Sequence, residues 1–167
     1  MMSNLKKLTY LSILLAIGIV LNLIENFFIP PVTFGIRFGI ANIISLLVVE
    51  NYDIKTMWLL NILRVIIANL LTASLFGPRF LISIGGIILS SIILSILAHS
   101  KSSDIFMSIM SSIAHSVGQV LVVVILYKQQ SMLVFIPILL LSSLPTGILT
   151  GIIAMQVNRR IEIGEKK

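Results

Sequence analysis

The chain has 167 residues, of which 57% are hydrophobic and only 11% are charged. A soluble domain has about 25% charged residues, so this much apolar surface requires a bilayer as its solvent. The net charge of +6 comes mostly from Lys and Arg at the ends of apolar segments. That pattern is typical of cytosolic membrane loops and excludes a nucleic-acid-binding patch. The chain has no cysteine, which excludes disulfides, iron–sulfur clusters and cysteine-ligated zinc.

Long apolar segments predict an all-α integral membrane protein with six transmembrane helices, because each span needs about 20 apolar residues. We predict a single transmembrane domain over residues 1–167, and read the first segment as a retained helix rather than a cleaved signal peptide. The second segment is short, which favours a tilted or partly re-entrant helix. The predicted spans are residues 8–29, 34–49, 56–76, 80–98, 105–126 and 133–157.

The charges in the loops predict the orientation, because cytosolic loops carry an excess of Lys and Arg. With both termini in the cytosol, the outer segments hold only Arg79 and Lys128, with Arg37 near the same face. The opposite orientation would reverse this bias. The predicted orientation therefore has both termini in the cytosol. The inner segments would hold Lys6, Lys7, Lys55, Lys101, Arg159, Arg160, Lys166 and Lys167.

The junction between the first two predicted spans is rich in polar residues and turn formers. Asn22 and Glu25 lie one turn apart and share a helical face. Glu25 either lines a cavity or reaches the outer interface and is solvated. The Pro-Pro pair that follows must end the helix and force a turn. The turn contains Pro30, Pro31 and Gly35, and it is followed by Arg37 and Asn42, of which Arg37 is predicted to pair with Glu25 or with an anionic ligand.

Two further polar groups fall inside predicted spans. Arg64 lies near the middle of the third span, where a charge costs a few kcal/mol or more and must find a partner. The sequence leaves open whether that partner is structural or a ligand. Asn69 lies further out on the same helix. His115 and Gln119 share a face of the fifth span, and His115 is either a satisfied core residue or a ligand-binding or proton-linked group.

Several reaction classes lack their required residues. The sequence has no Walker A motif and no HExxH motif. Its two aspartates, Asp53 and Asp104, lie alone in separate loops, whereas a prenyl-transfer enzyme needs clustered carboxylates to hold magnesium on a diphosphate. We therefore expect no catalytic residue, no metal and no cofactor, and the chain is predicted not to be an enzyme.

A small-xxx-small pair, Ser12 and Ala16, lies on the first predicted helix, where small residues allow close helix approach. Its spacing alone favours packing within the monomer. The first helix ending in Leu-Ile-Glu25, the Pro-Pro turn and several later motifs together resemble the Gx transporter family, often labelled heptaprenyl diphosphate synthase component I. The other matching motifs are Gly35-Ile-Arg-Phe-Gly-Ile-Ala-Asn42, Leu63-Arg64-Val65, Phe76-Gly77, Gly85-Gly86, Ala114-His115-Ser-Val-Gly118-Gln119, Pro137 and Thr146-Gly147 with Gly151.

The resemblance implies the fold and role of a substrate-capture S-component of an energy-coupling factor (ECF) transporter. In that family six helices hold a site open to the outside, and the loop containing Pro30, Pro31 and Gly35 would close over the ligand. Ser12 and Ala16 would then dock on the transmembrane coupling subunit. That subunit and two ATPases would be separate chains. ATP hydrolysis by the ATPases would make this subunit topple, that is, tilt over within the membrane. The implied substrate is small and anionic, vitamin-like or isoprenoid- or flavin-like, held by Asn22, Glu25, Arg37, Asn42, Arg64, Asn69, His115 and Gln119.

Two other functions compete with this one. The chain could be a non-catalytic membrane subunit that supports heptaprenyl diphosphate synthesis, with its basic cavity holding a diphosphate or prenyl chain. It could also be a channel or proton-coupled carrier that acts alone, and uptake into proteoliposomes containing only this chain would indicate that role.

Overall fold

The computed structural model describes residues 4–28, 40–100, 102–128 and 130–165, and within them the chain forms helices without any strand. A 3₁₀ helix at Gln130–Phe135 leads into the last α-helix. The α-helices are α1 Asn4–Phe28, α2 Asn42–Asn51, α3 Ile54–Leu71, α4 Pro78–His99, α5 Asp104–Tyr127 and α6 Ile136–Glu165.

Five of these helices, α1 and α3 to α6, are long and apolar enough to cross a membrane. Their outward faces expose more large apolar side chains than the surface of a soluble protein does. Examples are Leu59 on α3, Ile92 on α4 and Ile125 on α5. The chain is therefore a multi-pass membrane protein. The predicted spans at 8–29, 56–76, 80–98, 105–126 and 133–157 coincide with these five helices to within a few residues at most ends.

The second predicted span differs most from the structure. Helix α2 has only 10 residues, which is about 15 Å and half of the length that a span requires. It starts at Asn42 rather than at residue 34, and residues 34–39 lie outside the described ranges. Its residues from Asn42 to Val49 are all buried. Because a helix that is apolar on all sides belongs in a core, α2 is an interior helix surrounded by the long ones.

Local sequence signals explain where the helices begin. The side chain of Asp53 caps α3 by accepting a hydrogen bond from the amide of Thr56 at 2.7 Å. Gly77 precedes α4, and Pro78 occupies its first turn, where the missing proline amide costs nothing. Ser103 caps α5 through the amide of Phe106 at 3.4 Å. Polar capping residues therefore separate successive apolar runs.

The start of α1 and the part of α6 around Asn158 lie at the same end of the bundle. Lys7, near the start of α1, forms a salt bridge of 3.8 Å with Asp53 at the start of α3. At that end Asn51 also donates a hydrogen bond of 2.7 Å to Asn158, near the end of α6. We call this the terminal end of the bundle. The end of α1 and the start of α2 lie at the opposite end, where Glu25 on α1 accepts a hydrogen bond from the amide of Ile40.

Helix α1 is the most peripheral of the long helices. Among the described elements it packs only against α2 and α3, whereas α5 packs extensively against both α4 and α6. Leu14 and Gly18 face inward, and Ser12, Ala16 and Val20 are exposed. The outer face of α1 therefore has no neighbour among the described residues, where Ser12 and Ala16 are exposed rather than packed as their spacing alone favoured.

A buried amide connects the interior helix to its neighbours. Asn61 on α3 accepts a hydrogen bond of 2.6 Å from Ser45 on α2 and donates one of 2.8 Å to Ser91 on α4. We expect Asn61→Ala to lower the free energy of unfolding by about 0.5–2 kcal/mol, the range of hydrogen bonds between membrane helices. Thermal melting in detergent measures this change, and Ile62→Ala, on the exposed face of α3, is the control that should melt close to the wild type.

Candidate functional site

A small closed cavity lies where helices α1 to α5 meet. Its volume is about 10 Å³, close to the minimum that one water molecule needs. Polar side chains dominate its wall, although it lies within an apolar membrane bundle. The lining residues are Asn22, Glu25, Ala41, Asn42, Arg64, Val65, Ser83, Ile87 and His115.

Arg64 is the central cation of the cavity and is only 2% exposed. Its Nη1 donates a hydrogen bond to the carbonyl of Ala41, and its Nη2 lies 3.4 Å from the Asn42 side-chain oxygen. Gly18 on α1 makes room for the stem of this side chain, because a Cβ there would lie 2.9 Å from Arg64 Cδ. The guanidinium therefore holds the start of α2 against α3.

Glu25 is the anion of the cavity, and it is buried rather than solvated at the outer interface. Its Oε1 accepts a hydrogen bond of 2.7 Å from the amide of Ile40. Glu25 on α1 and Arg64 on α3 thus bind the backbone of adjacent residues. Glu25 binds the amide of Ile40, and Arg64 binds the carbonyl of Ala41. Together they fix the chain as it enters α2, which closes the cavity at this end of the bundle.

His115 reaches the cavity from α5 and is positioned by Gln119. The two side chains are one turn apart, with 3.0 Å between Gln119 Nε2 and His115 Nε2. Because an amide nitrogen only donates, the imidazole Nε2 accepts. Gly86 on α4 gives the ring its space, since a Cβ there would lie 2.7 Å from His115 Cε1. The close approach of α4 and α5 therefore sets the ring position.

Asn42 contributes an unused donor. It is 6% exposed and lines the cavity. Its Nδ2 is buried and makes no hydrogen bond with any described residue. A buried amide without an acceptor costs about 1–3 kcal/mol. An acceptor oxygen placed in the cavity would satisfy this amide.

The structure brings together five of the predicted binding residues and separates the others. Gln119 lies behind His115 rather than in the cavity wall. Asn69 donates to the carbonyl of Val65 at 2.8 Å and accepts from Ser74 at 2.9 Å, so it holds the α3–α4 turn away from the cavity. Arg37, Pro30, Pro31 and Gly35 lie outside the described residues. The five that meet in the cavity wall are Asn22, Glu25, Asn42, Arg64 and His115.

Sequence reasoning missed two contributors to the cavity. Ser83 on α4 lines it, and its position in the first turns of an apolar helix was a readable signal. The backbone carbonyl of Ala41, which receives Arg64, has no sequence signal because every residue carries a carbonyl. Arg79, which loop charges place on the outer side, is exposed and does not line the cavity.

The groups around the cavity are suited to binding a polar molecule through hydrogen bonds and charge. One guanidinium, one carboxyl, one imidazole and two amides surround a space shielded from water, where each hydrogen bond is stronger than in solution. Ionisable residues inside a membrane bundle are costly and mark functional sites by default. Among the described residues, no group of three or more His, Asp or Glu side chains could hold a metal ion.

Comparison with known proteins identifies the family. The sequence profile of heptaprenyl diphosphate synthase component I matches residues 14–157, which include every described residue of the cavity wall. A search of curated proteins found no significant match, and a search of solved structures found none either. The chain belongs to the heptaprenyl diphosphate synthase component I family.

Proposed function

We propose that this chain is the membrane-embedded substrate-binding subunit of an ECF-type importer. The single observation that carries the proposal is the closed polar cavity around Arg64 and Glu25, buried within a membrane bundle. A buried guanidinium and carboxyl are too costly to be incidental in such a place. The chain itself performs no catalysis, and ATP is hydrolysed by separate partner subunits.

The substrate in this proposal is a small anionic molecule, vitamin-like or isoprenoid- or flavin-like. Arg64 supplies a cation and Asn42 supplies an amide donor that no described residue uses. A ligand pocket for such a molecule has a volume of several hundred Å³, far above the present 10 Å³. Binding therefore requires the Ile40–Asn42 segment to move away from Glu25 and Arg64. The segment with Pro30, Pro31, Gly35 and Arg37 would act as the gate.

The exposed face of α1 supports a docking role for Ser12 and Ala16. Small residues on an outward face allow a second membrane helix to approach closely. In this proposal the ECF transmembrane coupling subunit docks there, with two ATPase subunits bound behind it. The bias of loop charges supports an orientation with both termini in the cytosol of a bacterial plasma membrane.

Co-purification tests the proposal. A tagged chain is co-expressed with an ECF coupling subunit and its two ATPases, and we expect the four chains to elute together. Ala16→Trp should reduce recovery of the coupling subunit by about tenfold or more, because an indole separates helices that need close contact. Ile125→Trp, which adds the same group to a lipid-facing position on α5, is the matched control and should retain the complex.

Absence of a complex, or recovery that Ala16→Trp leaves unchanged, would contradict the docking role. The alternative is a non-catalytic membrane subunit of heptaprenyl diphosphate synthesis, the process that the family description names. In that case the chain would change the rate or product length of prenyl transfer by a soluble synthase partner. A prenyl-transfer assay with and without this chain therefore separates the two functions.

A further inference from the structure

A second polar cavity lies at the terminal end of the bundle, at the opposite end of α2 from the site around Arg64. Its volume is about 420 Å³. Apolar residues form one side, and two carboxyls and two amides form the other. The lining residues are Val49, Glu50, Asn51, Ala98, Ser102, Asp104, Met107 and Asn158.

One amide joins the two carboxyls of this cavity. Asn158 Nδ2 on α6 donates to Glu50 Oε2 on α2, and it also lies 3.5 Å from Asp104 Oδ2 on α5. The side-chain oxygen of Asn158 accepts from Asn51 at 2.7 Å. Three helices therefore meet through one short network, in which the two N–H groups of the Asn158 amide face Glu50 and Asp104.

The network is one donor short when both carboxyls are ionised. Glu50 Oε1 is buried and receives no hydrogen bond from any described residue. Asp104 is its neighbour, but an ionised carboxylate only accepts. Two adjacent carboxylates also repel each other, and the common solution is that the pair holds one proton. A proton between Glu50 and Asp104 supplies the missing donor and removes the repulsion.

We propose that the Glu50 carboxyl keeps its proton near neutral pH and donates it in a hydrogen bond to Asp104, and that this hydrogen bond locks the terminal end of α2 to α5 and α6. Loss of the proton at alkaline pH would leave two repelling carboxylates and open the cavity. Burial, followed by the hydrogen bond and the charge of Asp104, raises the pKa of the Glu50 carboxyl to about 8. The lock would therefore respond within the range of cellular pH.

Helix α2 connects the cavity around Glu50 to the cavity around Arg64. The residues between Asn42 and Glu50 are all buried, and Val48 is 0% exposed. A short helix packed on all sides moves as a rigid body. Its other end is the one that Arg64 holds through the carbonyl of Ala41. Opening at Glu50 would therefore loosen the wall of the closed polar cavity, which couples proton loss to the proposed substrate site.

The other charged groups described at this end are exposed or bound elsewhere. Lys7 is bound to Asp53 at 3.8 Å, and His99 Nδ1 is 2.6 Å from the carbonyl oxygen of Ser95. Arg159 and Arg160 on α6 are exposed, as is Lys55 on α3. No other titratable side chain of the described residues lines the cavity. The pH response is therefore assigned to Glu50 and Asp104.

The absence of cysteine in the chain allows a direct test by thiol labelling. Ala98→Cys places a single thiol on the cavity wall, and the rate of maleimide labelling is measured from about pH 6.5 to about pH 9.5 in the purified protein. The same thiol is measured with Glu50→Gln, whose amide supplies the missing donor at every pH. At each pH, the labelling rate without Glu50→Gln is divided by the rate with it. This rate ratio cancels the pH dependence that comes from ionisation of the thiol.

We expect the rate ratio to be near one at low pH and to rise by about threefold or more at high pH, because charge repulsion shifts the population towards the open state. Asp104→Asn should label like Glu50→Gln across the range, since its amide also donates to Glu50. Asp53→Asn, at the same end but outside the network, should label like the wild type. A ratio that stays constant with pH, or the same pH dependence in Asp104→Asn as in the wild type, would overturn the proposal.

Discussion

Arg64→Ala is expected to lower the free energy of unfolding by about 3–5 kcal/mol, the cost of removing one partner from a buried charged contact. The change removes the hydrogen bonds to the Ala41 carbonyl and to Asn42. It also leaves a void beside Gly18, whose Cα hydrogens face the arginine stem. The start of α2 would lose its attachment to α3. Thermal melting in detergent measures the effect.

Two matched variants separate the structural role of Arg64 from ligand binding. Arg64→Met keeps most of the volume without the charge, and Arg64→Lys keeps the charge but loses the planar donor group. We expect both to melt above Arg64→Ala. Mass spectrometry of small molecules that co-purify with each variant gives the second readout. An Arg64→Lys protein that melts like the wild type but retains no compound would assign Arg64 to the ligand, and an Arg64→Ala protein within about 0.5 kcal/mol of the wild type would contradict the structural role.

Hydropathy predicted the five long helices because length and apolarity alone decide whether a segment can cross a bilayer. The same signal failed for α2, since an apolar helix surrounded by other helices has the same composition as one surrounded by lipid. The information that α2 is apolar on every side was present in its sequence. What the sequence lacks is the bundle around it, which replaces lipid as the apolar environment.

The candidate site was predictable to a similar degree. A charge inside an apolar helix is rare enough to identify Arg64 and Glu25 without a structure. Depth along a helix, however, does not give the direction of a side chain within the bundle. Asn69 was therefore predicted to bind substrate together with Arg64, although its side chain accepts a hydrogen bond from Ser74 in the α3–α4 turn. That assignment depends on contacts that arise only when the helices pack.

Contacts between residues that are distant in the sequence were the main feature that could not be predicted. Glu50 and Asp104 stand in separate loops of the sequence, and Asn158 lies 108 positions after Glu50. Each of these residues would be solvated in isolation, so none carries a sequence signal. They meet only because α2 is short and buried, which brings its end to the ends of α5 and α6. The acidic cavity is thus a consequence of the helix whose length hydropathy misjudged.

Gly118→Leu is expected to disrupt the bundle more than any single change on the lipid-facing surface. A Cβ at Gly118 would lie 2.4 Å from the carbonyl oxygen of Gly85 and 3.1 Å from the Cα of Gly86. These are backbone atoms of α4, which cannot rotate away as a side chain can, so the two helices must separate. Even Gly118→Ala, which gains up to about 1 kcal/mol of helix propensity, should lose stability, because overpacking costs about 1–3 kcal/mol or more.

Separation of α4 from α5 should also displace residues of the candidate site. Substitution of Gly118 therefore tests whether the contact between these helices positions the site. His115 lies one turn before Gly118 on α5, and its ring rests against Gly86 on α4. If the α4–α5 contact positions the ring, Gly118→Ala should lose the co-purifying compound at a temperature where it remains folded. Leu121→Phe, which adds volume to an exposed position of the same helix, should retain both. Equal melting temperatures for Gly118→Leu and Leu121→Phe would show instead that α4 and α5 tolerate a wider spacing, and that the position of the His115 ring does not depend on it.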